Sequence, residues 1–334
     1  MTPRERVCRA VHFQETDIVP YQVGFTAEAF RKLAEYYGDP NFHTRIQGHF
    51  AMFPCRYSDP WIEVAPGHFQ DEWGVIWNRA IDKDIGTVEN RVIAEPTLDD
   101  YRFPEIKLAG AADMYRGFVE AHPDVYRVAC IGFSLFERAW TLRGMDQLLM
   151  DMIESPEFVH ELLDRITEFN LAQVDTAIEF DIDALYFGDD WGCQRGLIMG
   201  PKLWREFIKP CIARMYSRVR EAGKFVLIHS CGDVKEVLPD LVEIGLNIFN
   251  PFQPEVMDVF ETKKRYYGKL SFFGGISVQR LLPYGTPDEV RRETRKLLKI
   301  LGEGGGYIAA PSHSIPSDAP PENMAAMIEV LQNQ

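Results

Sequence analysis

The chain has 334 residues, 46% of them hydrophobic, and carries 36 basic against 50 acidic residues for a net charge of -14. That acidity excludes the electrostatic footprint of a protein that binds nucleic acid or an anionic membrane surface, and no stretch is apolar for long enough to span a bilayer. The opening Met1-Thr2-Pro3-Arg4-Glu5-Arg6 has no signal-like apolar run, so the expected location is cytoplasmic, and six scattered cysteines suit reduced thiols or a metal site better than a disulfide framework.

In chain order, Thr2-Pro3-Arg4-Glu5 is a capping box with proline at the first helical position, so a short helix opens the chain. Residues 18–24 read as a first strand, and Thr26 to Tyr37 has helical apolar spacing. Residues 40–110 are irregular and rich in Pro, Gly and aromatics. Within them 69–77 reads as a second strand decorated by a lid or hairpin insertion.

From Val125 onward short apolar runs alternate with amphipathic stretches, which is the pattern of a parallel sheet with crossover helices. The expected strands are 126–132, 183–188, 224–229, 246–249, 270–274 and 306–310. With the two earlier ones they make eight. Ser155-Pro156, Gly200-Pro201 and the capping box Thr286-Pro287-Asp288-Glu289 mark helix starts between them. The expected fold is therefore α/β, a single (β/α)8 barrel domain over 1–334 with 40–110 as its insertion.

A barrel of this kind places its site at the C-terminal ends of the strands. Those ends are polar here: Gly188-Asp189-Asp190-Trp191-Gly192-Cys193, His229-Ser230-Cys231-Gly232-Asp233 and Pro311-Ser312-His313-Ser314. Residues two apart at a strand end point the same way, so the imidazole of His229 and the thiol of Cys231 are placed to hold one zinc ion together. The bland alternative is a buried thiol beside a hydrogen-bonded histidine.

These loops, with Asp17-Ile18-Val19-Pro20, Phe273-Gly274-Gly275-Ile276 and Pro320-Pro321-Glu322-Asn323, resemble the uroporphyrinogen decarboxylase superfamily over nearly the whole chain. The resemblance implies a barrel and two chemistries, cofactor-free porphyrinogen decarboxylation and zinc-dependent methyl transfer to or from a corrinoid. The decarboxylase branch carries Arg-Gln-Ala-Gly-Arg after its first strand to clamp a polycarboxylate substrate. Here that stretch is Tyr21-Gln22-Val23-Gly24-Phe25, with aromatics in place of both arginines. The methyltransferase branch carries H-x-C and a third zinc ligand in the last strand's loop. By resemblance the metal ligands are His229, Cys231 and His313, the last in place of a more usual thiolate.

One thiolate and two imidazoles leave Zn2+ with one net positive charge, a stronger Lewis acid than a two-thiolate site, which favours an oxygen-bound donor such as a methyl ether. The expected enzyme is a zinc-dependent methyltransferase, the O-demethylase component that passes a methyl group from a small methylated substrate, a methoxylated aromatic for first choice, to the Co(I) corrinoid of a partner protein. The chain lacks the Asp-x-His-x-x-Gly motif of corrinoid-binding domains, so a separate corrinoid (cobalamin) protein is implied. The alternatives are methylcobalamin:thiol methyl transfer, decarboxylation, and a non-catalytic barrel with structural zinc.

Further site residues are assigned from strand-end placement. Asp189 and Asp190 are read as catalytic, orienting a ligand histidine or binding substrate, against the alternative of capping the next helix. Asp71, Trp73, Phe133, Trp191 and Tyr21 are read as substrate-binding, against a solvated turn for Asp71 and core packing for the aromatics. Cys193 is an alternative metal ligand, against the small buried hydrophobe that free cysteine usually is.

Overall fold

A computed structural model of the chain describes every residue except 56–60, 82–85 and 108. Helices begin where the sequence supplies caps. Thr2 and Thr286 each accept the backbone N–H of the residue three positions on, and Glu5 and Glu289 reach back to complete two capping boxes. On helix Pro287–Gly302 the residues Val290, Thr294, Leu297, Leu298 and Leu301 are buried, the expected helical face. No described helix is long and apolar enough to cross a membrane.

The strands in chain order begin with β1 (Phe50–Pro54) and a cluster of four, β2 (Ile62–Ala65), β3 (His68–Gln70), β4 (Ile76–Asn78) and β5 (Thr87–Val88). There follow β6 (Tyr126–Ile131), β7 (Ala184–Gly188), the small hairpin β8 (Gly192–Cys193) and β9 (Gly196–Leu197), then β10 (Phe225–His229), β11 (Ile248–Phe252), β12 (Ser271–Ile276) and β13 (Tyr307–Pro311). Seven of them form one parallel sheet in the order β1-β6-β7-β10-β11-β12-β13. Helices intervene between most of the neighbouring strands, as parallel pairing requires.

The sheet curls, so its two edges approach a common segment. Ala309 N donates to Pro20 O at 2.8 Å, Gln22 N to Ala309 O at 3.0 Å, and His49 N to Tyr21 O at 3.0 Å. Residues 18–24, expected as a full strand, supply only an isolated parallel bridge from Tyr21 to Ala309. The physical reason is local. Pro20 has no N–H to give, and the N–H and C=O of Val19 are bonded to the Gln334 side chain instead.

Residues 69–77 do not lie in the main sheet either. They belong to a four-stranded antiparallel sheet, β2-β3-β4-β5, and the place expected for them is taken by β1, inside the stretch read as an insertion. Alternation of apolar residues marks a strand without saying which sheet it joins. This small sheet is tied to helix Phe136–Arg143 by Asp71. The Asp71 carboxylate accepts from Trp73 N and Val75 N at 2.9 Å each, from Trp77 Nε1 at 3.0 Å and from Arg138 Nη1 at 2.8 Å. Both charged side chains are buried, so the pair holds because its hydrogen bonds are met.

The core has two parts. Val128, Ala184, Leu227, Ile248 and Ile308 fill the inside of the curled sheet with Phe50, Tyr126 and Phe273. A larger cluster lies between the sheet and its helices. The inner cluster stops short of the strands' C-terminal ends, where a cavity opens.

Candidate metal centre

The cavity holds about 450 Å³ and is lined from several strand ends, by Met52, Phe133, Tyr186, His229, Phe273 and His313 among others. Phe133 adopts a positive φ of 48° just past β6, a conformation that costs a bulky residue on the order of 1 kcal/mol and persists because Trp77 packs edge-on against its ring at 5.0 Å.

His229 ends β10, Cys231 follows in its loop, and His313 comes after β13, three strands across the sheet. The fold brings one ligand atom from each within 4.8 Å of the others. Cys231 Sγ already lies 3.4 Å from His229 Nε2. Tetrahedral zinc with ordinary bond lengths sets its ligand atoms about 3.3–3.8 Å apart, so only a small side-chain adjustment separates this arrangement from a zinc site.

The surroundings fit a cation. Burial pushes the His229 imidazole down toward its neutral, ligating form, although Asp190 pulls the other way. Burial, and then Asp190, hold the Cys231 thiol well above its ordinary range. The acids Asp190 and Glu137 stand beside it and disfavour a thiolate further, so a thiolate there calls for a metal ion. His229 Nδ1 meets Asn250 Oδ1 at 2.6 Å, which leaves Nε2 free to ligate.

The loop that carries Cys231 packs closely against the loop that follows β7. Gly232 has φ +85°, and a Cβ there would collide with the carbonyl carbon of Gly192. Cys231 N donates to Asp190 Oδ1 at 2.8 Å, and Asp233 N to Cys193 O at 2.8 Å.

The two neighbouring aspartates part company. Asp190 lines the cavity, 3.9 Å from His229 Nε2. Asp189 is fully buried and faces the other way, accepting from the N–H groups of Leu135, Phe136 and Glu137 at 3.2, 3.1 and 2.8 Å and from the indole of Trp191. It caps helix Phe136–Arg143. Of the residues read as substrate-binding, Phe133 lines the cavity. Asp71 is buried in its ion pair and Trp73 lies under the Arg138 guanidinium at 5.0 Å. Trp191 packs on Trp204, and Tyr21 is buried with its hydroxyl on Ile46 O at 2.9 Å. None of these four lines the cavity. Cys193 is exposed on the β8–β9 hairpin, outside the ligand cluster.

Sequence reasoning missed two residues. Asn250 stands one position past the expected strand 246–249, so the strand-end rule that selected His229 applied to it as well. Glu137 had no such signal, lying in the first turn of a helix where an acid ordinarily faces water. It lines the cavity instead. Burial first, then the charges of Asp190 and Asp189, push its carboxyl up to about 9.

The family model for uroporphyrinogen decarboxylase (URO-D) matches residues 82–334. The chain is 24% identical over 283 residues to the uroporphyrinogen decarboxylase of Chlorobaculum parvum, covering 78% of this chain and 77% of that protein. It is 23% identical over 197 residues to the methylated-thiol--coenzyme M methyltransferase of Methanosarcina mazei, covering 59% of this chain and 50% of that one. A solved methyltransferase from Methanosarcina mazei superposes with a TM-score of 0.75 at 18% identity, over 100% of this chain and 99% of the other, and so shares the fold. With its family model matched over most of its length, the chain belongs to the uroporphyrinogen decarboxylase family.

Proposed function

We propose that this protein moves a methyl group from a small methyl ether, a methoxylated aromatic for first choice, to the Co(I) corrinoid of a partner protein. Zinc would be held by His229, Cys231 and His313. The observation that carries the reading is the convergence of those three donor atoms within 4.8 Å at the mouth of a cavity large enough for an aryl ring. Three protein ligands would leave a fourth position for a donor atom, as a catalytic rather than a structural zinc requires.

Bound zinc supplies a Lewis acid that draws charge off a donor oxygen. The rest is the work of the chain's own side chains. Asn250 orients His229 through Nδ1. Phe133, Tyr186, Phe273 and Met52 form the walls that hold a ring and keep water from it. Glu137 keeps a carboxyl proton at neutral pH and holds it for the oxygen left behind when the methyl carbon departs.

Decarboxylation is the reading that the family name favours, and the cavity weighs against it. Among the described residues no Lys or Arg lines it, while Glu137 and Asp190 do. Phe25, at a position of the missing arginines, is packed among Phe30 and Phe42. A porphyrinogen with many carboxylates would meet acids there and, among the described residues, no clamp.

The test is formation of methylcobalamin from Co(I) cobalamin over a panel of methoxylated aromatics, methanol and methylamines, with thiol acceptors run in reverse and uroporphyrinogen as control. Methyl transfer from an ether that depends on zinc is the expected result. Transfer to thiols alone would replace the donor assignment with thiol chemistry, and carbon dioxide release from uroporphyrinogen without methyl transfer would overturn the reading.

A further inference from the structure

Tyr186 stands on β7 with its side chain turned to the inside of the curled sheet, packed against the inner cluster that includes Phe50, Tyr126 and Phe273. There it lines the cavity, its ring 6.0 Å from that of His229. Its hydroxyl makes no hydrogen bond to any described residue, and it is not sealed in protein as the hydroxyls of Tyr126 and Tyr216 are. The space beside it is kept by glycine. A Cβ on Gly188 would stand 3.5 Å from the hydroxyl, 3.3 Å from Cε1 of the ring and 3.5 Å from Cα of Gly132, whereas a Cβ on Gly132 would meet nothing within 4 Å. Both glycines line the cavity, so open room over bare main chain adjoins the hydroxyl. The amides at the wall are tied down: Asn250 spends Nδ2 on the carbonyl of Phe273 at 3.0 Å, and Gln22 Oε1 accepts from Phe50 N at 3.2 Å.

A phenol keeps its proton at neutral pH, so Tyr186 offers a hydrogen to whatever fills that room. A ligand that displaces water from it must supply an acceptor or leave the hydroxyl unpaired, and the second outcome carries the desolvation penalty in full. We propose that Tyr186 touches the substrate, its hydroxyl donating to a second oxygen on the ring of the methyl compound, so that the site takes aryl methyl ethers with a further acceptor oxygen in preference to those with none. The inference deepens the methyl-transfer reading, on which it rests for the class of ligand and its fate. The bond also sets the rotation of the ring in the cavity, and so decides which methoxy oxygen is presented toward His229 and His313.

The experiment is calorimetric binding of matched ligand pairs to the full chain, zinc-loaded and metal-free. Each pair is one of the three dimethoxybenzene isomers and the corresponding ethylmethoxybenzene, in which a CH2 replaces the acceptor oxygen. In at least one ring pattern the dimethoxy compound is expected to bind about 3- to 10-fold more tightly than its ethyl match in both forms. Tyr186→Phe removes one oxygen and keeps the ring. It should bring that pair to within about 2-fold of each other, while the ethyl compound binds as it does to wild type. Because the preference is first read in wild type, a variant that fails to fold does not remove the test. No preference in any pair, or no binding of any ligand, overturns the proposal. Equal weakening of both members of the pair would mark a merely structural role and overturn it too, and a preference that survives in folded Tyr186→Phe would pass the contact to Gln22 and do the same. The two readings fail separately. A preference with no methyl transfer from any ether leaves the contact standing and removes the proposed reaction, whereas methyl transfer without a preference does the reverse.

Discussion

His229 Nδ1 lies 2.6 Å from Asn250 Oδ1, and Asn250 Nδ2 donates to the carbonyl oxygen of Phe273 at 3.0 Å. The second bond fixes the first. With its nitrogen committed to a carbonyl, Asn250 must turn its oxygen toward the histidine, so the proton sits on Nδ1 and the lone pair on Nε2. Asn250→Ala is therefore expected to lower zinc affinity about 10- to 100-fold, read by competition with a chromophoric chelator, while circular dichroism stays unchanged. Wild-type affinity in that variant would show that the histidine needs no such partner.

Cys231→Ser replaces a thiolate by a hydroxyl that keeps its proton, and is expected to strip most of the zinc from purified protein. Cys193→Ser removes an exposed thiol outside the cluster and should leave the metal content close to wild type. Elemental analysis of the two variants side by side decides the matter, and equal losses would mean that the ligand set is wrong.

The acid in the cavity gives a pH signature. Burial holds the Glu137 carboxyl near 9 in the folded state, whereas an unfolded chain keeps the ordinary 4.5. Between those values the folded protein binds a proton that the unfolded chain has lost, so stability falls as pH rises through the window. Glu137→Gln cannot lose that proton. Metal-free protein carrying it should match wild type near pH 4.5 and exceed it at pH 8 by on the order of 3–5 kcal/mol in urea unfolding. A difference that is the same at both pH values would remove the buried acid from the account.

Asp71 answers for the fold rather than the chemistry. Asp71→Ala leaves the buried Arg138 guanidinium without its partner and is expected to cost about 3–5 kcal/mol of stability. Zinc content per folded molecule should be unchanged. Loss of metal without loss of stability would place Asp71 with the site.

How much of this was legible in the sequence depended on whether the signal was local. The run ending in His229 and Cys231 announced itself because a buried strand must be apolar and its polar terminus then stands out. The capping boxes at Thr2 and Thr286 were legible for the same reason, since donor and acceptor lie three residues apart. β1 was not, because Phe50-Ala51-Met52-Phe53-Pro54 is brief and sits among other aromatic stretches. Asp189 and Asp190 look alike in sequence, and only the alternation of side chains past β7 sends one into a helix cap and the other into the cavity. Glu137 was illegible in principle. Its neighbour in the cavity, Asp190, lies more than fifty positions away, and no spacing along one helix records that.

Glu137 and Arg138 are consecutive, so the acid of the cavity and the anchor of the antiparallel sheet share one peptide unit. No flexible segment separates them. A displacement of the small sheet is handed through Asp71 and Arg138 to the carboxyl that faces the ligand, while the strands beneath stay where they are. The antiparallel sheet of β2, β3, β4 and β5 is thus joined to the cavity wall through a buried ion pair. A substitution in that sheet therefore reaches the cavity through Arg138 and its neighbour Glu137 before it reaches the curled sheet beneath.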